Sequence, residues 1–370
     1  MGKIKFTDKN GSFVIENPEN YSGLYLPLAG EMGLKSNITP SMAGDAKTDQ
    51  NHFLLEPVSI ENLHNNKNGR NFWCRIEGNG IWSVSGASAL QEAEKFTASQ
   101  DESKIEAGLM WQKLTRISKK YGIKSEVLSF VPTDKNIEIM YVTLENTSAE
   151  SIKFTPVAAI PLYGRSADNI RDHRHVTSLL HRISTQEYGI EVSPVLSFDE
   201  RGHQKNSTTY FVYGSKEDGT KPETFYPTNE MFIGEGGSFL NPEAVRTVKE
   251  GVKAGAKIQG KEAVGALAFE SVELKAGEKT GYIVVAGITD DVLEIEKTTV
   301  LYRTKEAVLE CFENTKRHWV EKVNIDFEMN DDSVDNYLKW ICFQPILRRI
   351  YGCSFLPYHD YGKGGRGWRD

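Results

Sequence analysis

Cysteine is scarce: Cys74, Cys311, Cys342 and Cys353 are the only four in 370 residues. None forms a CxxC pair, and no histidine cluster completes a zinc pattern. A disulfide framework is therefore not the organising principle, no metal site is expected, and reduced thiols in a cytoplasmic protein are the expectation. Long apolar runs are also missing. None approaches the ~18 residues of a membrane span, and the opening Met1–Asp8 holds no apolar signal region. An excess of basic charge is missing too: 44 Lys+Arg stand against 51 Asp+Glu, a net of −7. The densest basic stretch, Arg165 to Arg182, also carries Asp168 and Asp172. It is a polar surface or site, not a track for a phosphate backbone. No nucleic-acid or membrane partner is expected. The GxxxxGK[ST] phosphate loop and the HExxH metal motif are both absent, and so is any internal repeat.

What is there is an ordinary globular composition, 39% hydrophobic and 26% charged, which is enough to build a core. Residues 1 to about 290 read as β. Short apolar or alternating runs recur between Gly, Asn, Asp and Pro. Examples are Ile137–Leu144, Phe154–Ile160, Thr209–Gly214 and Gly281–Gly287. Val, Ile, Tyr and Phe dominate them, as a pleated, half-buried surface requires. Many such strands with hairpin-length gaps predict a large antiparallel β-sandwich. Met32–Gly44 and Phe225–Pro242 read as connecting loops. Glu230 and Glu235 fall in the second and read as surface groups, not a catalytic carboxylate pair.

The pattern turns helical near Asp290, and 291–327 reads as a helical linker. Val308, Phe312 and Trp319 lie on one face at a period of about 3.6. A second helix is expected from about Asp332 to Ile350, capped by Asp332 or Ser333. Val334, Tyr337, Leu338 and Ile341 are its expected buried stripe. Pro345 should kink it, and Gly352 should stop it.

The last stretch, Tyr358 to Asp370, is a loop rich in glycine (Gly362, Gly364, Gly365, Gly367). Glycines let a backbone turn tightly and approach a ligand closely. Arg366, Arg369 and Asp370 add charged hydrogen-bonding groups, and Tyr358, Tyr361 and Trp368 add flat apolar faces. A sugar presents both matching surfaces: hydroxyls for the charges, C–H faces for the rings. By composition alone a glycine-rich tail with scattered charges fits equally.

The run Gly365-Arg366-Gly367-Trp368-Arg369-Asp370, preceded by Tyr358 to Gly364, resembles the sugar-binding loop of the glycoside hydrolase family 94 phosphorylases. These act on cellobiose, laminaribiose, chitobiose and β-1,2-oligoglucans. Pro161 to Leu180 resembles their N-terminal sandwich, and the order of parts is similar along the whole chain. The resemblance implies a mainly β fold, a galactose-mutarotase-like supersandwich over 1–290. It also implies a helical linker over 291–327 and the beginning of an (α/α)6 catalytic barrel over 328–370. Arg369 and Asp370 would bind the glycosyl unit that reacts, with Arg366 a further contact. The family's general acid is an Asp in a later segment, so it is expected beyond Asp370 and no catalytic residue is expected within the chain. The implied reaction is an inverting phosphorolysis with inorganic phosphate as co-substrate and no cofactor. The implied partners are a β-linked gluco-disaccharide or oligosaccharide and, for the whole enzyme, a second copy in a homodimer. A glycoside hydrolase of similar architecture and a non-catalytic carbohydrate-binding module are the alternatives. Without the rest of the barrel, the 334–341 stripe is expected to be exposed and the last 40 or so residues to be mobile or prone to aggregate. Arg171, Asp172, His173, Arg174 and His175 have two readings: a loop reaching towards an active site, or a salt-bridged loop that docks the sandwich on the helices.

Overall fold

The computed structural model describes residues 4–21, 24–58, 69–167, 174–199, 202–247 and 250–352. Two antiparallel sheets stack face to face. The larger has eleven strands among the described residues. Its centre is Trp111–Ser118, Ile123–Phe130, Ile137–Asn146, Lys279–Thr289 and Thr209–Lys216, paired in that order. The smaller is built on Ile152–Leu162, flanked by Asn71–Ile76 and Ala263–Ala268. Between them lies the main core, where Leu114, Val127, Val142 and Val284 of one layer meet Phe72, Phe154, Ala158 and Leu267 of the other.

The apolar run Ile137–Leu144 barely alternates, and its burial explains why. Met140, Val142 and Leu144 face the main core, while Ile139 and Tyr141 face a second cluster on the outside of the large sheet. A strand covered on both faces has few positions to spare for polar residues; Glu138, buried here, is met by Arg70. The outer cover is the first long helix, α1 (Lys305–Val323). Thr304 caps it by accepting from Ala307 N, and Val308 and Phe312 seat on Phe130, Ile139 and Tyr141. Phe312 meets Trp111 edge-on at 5.5 Å between ring centres.

Two segments expected as loops carry regular structure. Met32–Gly44 contains the strand Lys35–Ile38, part of a separate four-stranded sheet with Leu26–Ala29, Ala46–Asp49 and His52–Leu55. Phe225–Pro242 contains most of the strand Thr224–Thr228 and a short helix, Asn229–Ile233, capped by the Thr228 hydroxyl. Glycine and asparagine mask these short elements, and Thr224–Thr228 pairs with the sequence-distant Ala263–Ala268.

The second long helix, α2, spans Asp332–Tyr351. Asp331, not Asp332 or Ser333, is its cap: Oδ1 accepts from Ser333 N at 2.9 Å and Val334 N at 3.3 Å. The helix runs on through Pro345. Proline has no N–H to offer the Ile341 carbonyl one turn back, and Ile341 lies on the exposed face of the helix. Gly352 ends the helix at φ 74. The face packed on the sandwich is not the apolar stripe, and the stripe stands exposed, in keeping with the expectation for this helix without the other barrel helices. Asn336, Lys339, Phe343, Leu347 and Tyr351 are buried, while Val334, Tyr337 and Ile341 are exposed, Tyr337 by 63%, and Leu338 is half-buried. Tertiary partners decide this. The side chain of Asn336 accepts from Gly11 N at 2.7 Å and donates to Asp8 O at 2.9 Å. Trp340 Nε1 donates to Gly11 O at 2.7 Å. Lys339 Nζ pairs with Asp326 at 2.9 Å.

Candidate functional site

The sugar-loop residues of the sequence analysis, Arg366, Arg369 and Asp370 with Tyr358, Tyr361 and Trp368, lie outside the described residues, as does Cys353. What is described is the platform from which that segment departs. It is the C-terminal turn of α2 on the edge of the four-stranded sheet.

Three contacts fasten the turn. The Tyr351 hydroxyl lies 2.6 Å from the Ser36 carbonyl and 3.0 Å from that of Leu28. Burial drives this phenol far above its ordinary range, so it stays a donor. Lys35 Nζ donates to the Ile350 carbonyl at 3.1 Å, neutralising one of the orphan acceptors of the helix end. Arg349 reaches Glu31 at 2.9 Å. Glu31 also receives Lys322 at 2.8 Å and His318 at 3.4 Å from α1. Desolvation works to raise the Glu31 carboxyl, but hydrogen bonds from Lys322, Arg349 and His318 outweigh it and hold the group at about 2. One carboxylate thus ties both long helices to one turn of the sandwich.

A buried ion pair stiffens the strand beneath. Arg70 grips Glu138 through Nε and Nη2, the latter at 2.8 Å from Oε2, and both residues are under 5% exposed. Such a fork-to-carboxylate pair fixes orientation as well as distance. Ser36 Oγ joins it, 2.8 Å from Glu138. At Gly44 (φ +121) an added Cβ would meet the Asn37 carbonyl at 2.2 Å, so only glycine permits this turn.

The Arg165–Arg182 segment is described at its two ends. Arg165 is buried, pairs with Glu262 at 2.6 Å and lies over the Tyr163 ring at 5.0 Å. Its Nε donates to His181 Nε2 at 3.4 Å, while His181 Nδ1 faces the Lys261 carbonyl at 3.2 Å. Burial, then the Arg165 charge, push His181 down to about 3. It is neutral at physiological pH and serves as a packed strut. Arg171, Asp172 and His173 lie outside the described residues, as do the side chains of Arg174 and His175. Glu230 pairs with Lys261 on the surface.

Among the described residues no three His, Cys, Asp or Glu side chains gather as metal ligands would. Cys74, Cys311 and Cys342 are free thiols. No helix among the described residues is long and apolar enough to cross a membrane.

Sequence reasoning did not find Glu31, Arg70, Glu138 or Tyr351. Their partners sit 25 or more positions away, so no local spacing signals them.

Two stacked antiparallel layers with a long helix laid over the outer face of the larger one form a β-supersandwich. The chain belongs to glycosyl hydrolase family 94: the profile of the glycosyl hydrolase 94 supersandwich domain matches residues 41–305. Among curated proteins, none matches. Among solved structures, a bacterial glucoamylase complexed with acarbose aligns at TM-score 0.49 and 9% identity, over 92% of this chain and 43% of its own. A protein from the human microbiome assigned as a kojibiose phosphorylase aligns at TM-score 0.47 and 9% identity, over 94% of this chain and 42% of its own. An Escherichia coli K12 protein assigned as an aldose 1-epimerase aligns at TM-score 0.37 and 10% identity, over 72% of this chain and 99% of its own. The chain spans less than half the length of the first two.

Proposed function

We propose that the chain is the sugar-binding N-terminal part of an inverting β-glucoside phosphorylase. Residues 1–290 are read as the sandwich, 291–327 as the linker and 328–370 as the start of the catalytic barrel. The observation that carries the reading is the fastening of α2. Tyr351, Lys35 and Arg349 fix the helix end immediately before the segment that bears Arg366, Arg369 and Asp370. A loop that must hold a sugar ring to within a fraction of an ångström needs such an origin.

In the reaction, phosphate attacks the anomeric carbon of a β-glucosyl unit from the face opposite the leaving group. A carboxylic acid, expected beyond Asp370, protonates the departing oxygen. Phosphate stands where an activated water stands in an inverting hydrolase, so no second carboxylate acts as base. The products are α-glucose 1-phosphate and a sugar shortened by one unit. Arg369 and Asp370 orient the ring hydroxyls, with contacts that strengthen as the oxocarbenium-like state forms. The working form is a cytoplasmic homodimer.

The test is phosphorolysis by the full-length gene product. It is incubated with laminaribiose, cellobiose and sophorose, with and without phosphate, and glucose 1-phosphate is assayed. Phosphate-dependent release from one disaccharide is the expected outcome and names the linkage. Glucose released without phosphate assigns a hydrolase. Sugar binding without any turnover assigns a binding module.

A further inference from the structure

The outer face of the smaller sheet is only partly covered. Trp73, Val157, Ala268 and Thr224 are register partners across four of its strands, and two residues further on Arg75 stands opposite Thr155. Directly opposed residues of antiparallel strands share a face. Trp73, Val157 and Ala268 belong to a cluster separate from the main core, so this face looks outward. The short helix Glu243–Thr247 packs Ala244 and Val245 into that cluster. Beside it, over the small side chains of Val157 and Ala268, a hollow of about 420 Å3 remains. Small-ligand sites commonly enclose about 300–1,000 Å3.

One wall of the hollow is fixed by backbone. Val252 and Phe225 each donate an N–H to the other's carbonyl at 2.9 Å. A Cβ at Gly251 would meet the Phe225 carbonyl oxygen at 2.6 Å, so only glycine lets the wall lie this close to the strand. The rim is charged and balanced. Arg75 and Lys253 stand against Glu223 and Glu250, and none of the four has an ion-pair partner among the described residues. Lys253 Nζ donates to the Glu223 backbone carbonyl at 2.8 Å, and the Thr155 and Ser271 hydroxyls share a hydrogen bond of 2.6 Å.

An apolar ligand would strip water from these groups and return nothing. An anion would meet two carboxylates, and a cation two basic groups. A neutral polyhydroxyl ligand satisfies both signs. Its hydroxyls donate to Glu223 and Glu250 and accept from Arg75 and Lys253, while a C–H face rests on Val157 and Ala268. We propose that this hollow is a second sugar site, contributed by the sandwich alone, that takes a glucosyl unit of a neutral oligosaccharide. None of the residues that fasten α2 lines it, so it is separate from the footing of that helix. The choice of a glucosyl unit rests on the reading of the chain as part of a β-glucoside phosphorylase.

The experiment follows the Val157 and Ala268 methyl resonances of methyl-labelled full-length gene product as sophorose, laminaribiose, cellobiose or inorganic phosphate is added. It is repeated on Arg75→Ala, Glu223→Gln and Arg369→Ala, each checked for a cooperative melt. Both resonances are expected to move with at least one disaccharide and not with phosphate. Arg75→Ala and Glu223→Gln are expected to weaken that response by about tenfold or more, as loss of a charge-assisted hydrogen bond does. Both should keep phosphate-dependent turnover at saturating substrate within about twofold of wild type, whereas Arg369→Ala should abolish turnover and keep the response. Resonances static with every sugar, moved by phosphate alone, or unaffected by Arg75→Ala overturn the proposal. So does a response lost in Arg369→Ala, which assigns the shifts to the loop. If wild type turns over none of the sugars while the resonances still move, the loop reading fails and this site stands. Where a sandwich variant does not fold, wild type and Arg369→Ala decide.

Discussion

The two long helices are attached to the sandwich in different ways. α1 is held by apolar packing: Val308 and Phe312 press into the cluster of Phe130, Ile139 and Tyr141. α2 adds to an apolar seat, Phe343 and Leu347 against Ala29, Leu109 and Met110, a set of directional bonds from Asn336, Trp340, Lys339 and Tyr351, while Val334, Tyr337 and Ile341 face water. Apolar packing is strong and does not depend on orientation. Hydrogen bonds add only about 1 kcal/mol each but fix distances and angles. The first attachment suits an element that must stay put. The second suits one whose end must point a following segment in a set direction.

Four substitutions break or sharpen this contrast. The largest effect is expected from Arg70→Met, which strands the Glu138 carboxylate of the large sheet against Ser36 of the four-stranded one. A loss of about 3–5 kcal/mol in denaturant unfolding is expected. A loss under ~1 kcal/mol would mean that water already reaches the pair. Phe312→Ala should remove about 3 kcal/mol, read from the same unfolding curves, and should leave the α2 contacts intact. Tyr351→Phe should cost only about 1 kcal/mol. It should, however, speed amide exchange in the last turn of α2, where Phe312→Ala does so only through global unfolding. If the two variants give the same exchange pattern, the contrast is lost.

The smallest effect concerns pH. The Glu31 carboxyl is lowered in the folded chain, so the unfolded chain binds its proton at higher pH. Its contribution is full above the ordinary glutamate value near 4.5 and is lost as pH falls towards about 2. Because Glu31 and its partners are partly solvated, the stabilisation is at most about 1 kcal/mol. Comparing Glu31→Gln with wild type by thermal melts, the gap should be present at pH 7 and close between pH 4.5 and 2. A gap that persists at pH 2 would exclude Glu31 as the clasp.

The same contrast explains what could be read from the amino acids alone. The sandwich strands were legible because burial on two faces imposes long runs of Val, Ile and Tyr, as in Ile137–Leu144. The buried face of α1 was legible because Val308, Phe312 and Trp319 are apolar and regularly spaced. The buried face of α2 was not. Asn336 and Lys339 are buried because Asp8, Gly11 and Asp326 satisfy them, and hydropathy assigns such side chains to solvent. The loop Gly362–Asp370 stood out by composition and family resemblance. Its footing did not: Glu31, Ser36, Arg70 and Glu138 are ordinary surface-type residues until the fold brings them together.

The contacts of Asn336 and Trp340 with Asp8 and Gly11 span more than 320 positions. Synthesis proceeds from one end, so the first hairpin leaves the ribosome long before its helical partner exists. Through that interval the Gly11 N–H and carbonyl are left to water, and the turn is supported by its strand pairing, Lys5 with Val14 and Phe6 with Phe13, and by the Asp8 carboxylate, which accepts from Asn10 N and Ser12 N. Closing so long a loop is among the last things a growing chain can do. The docking of α2 therefore acts as a completion signal: the helix finds its seat only after the whole sandwich has been made.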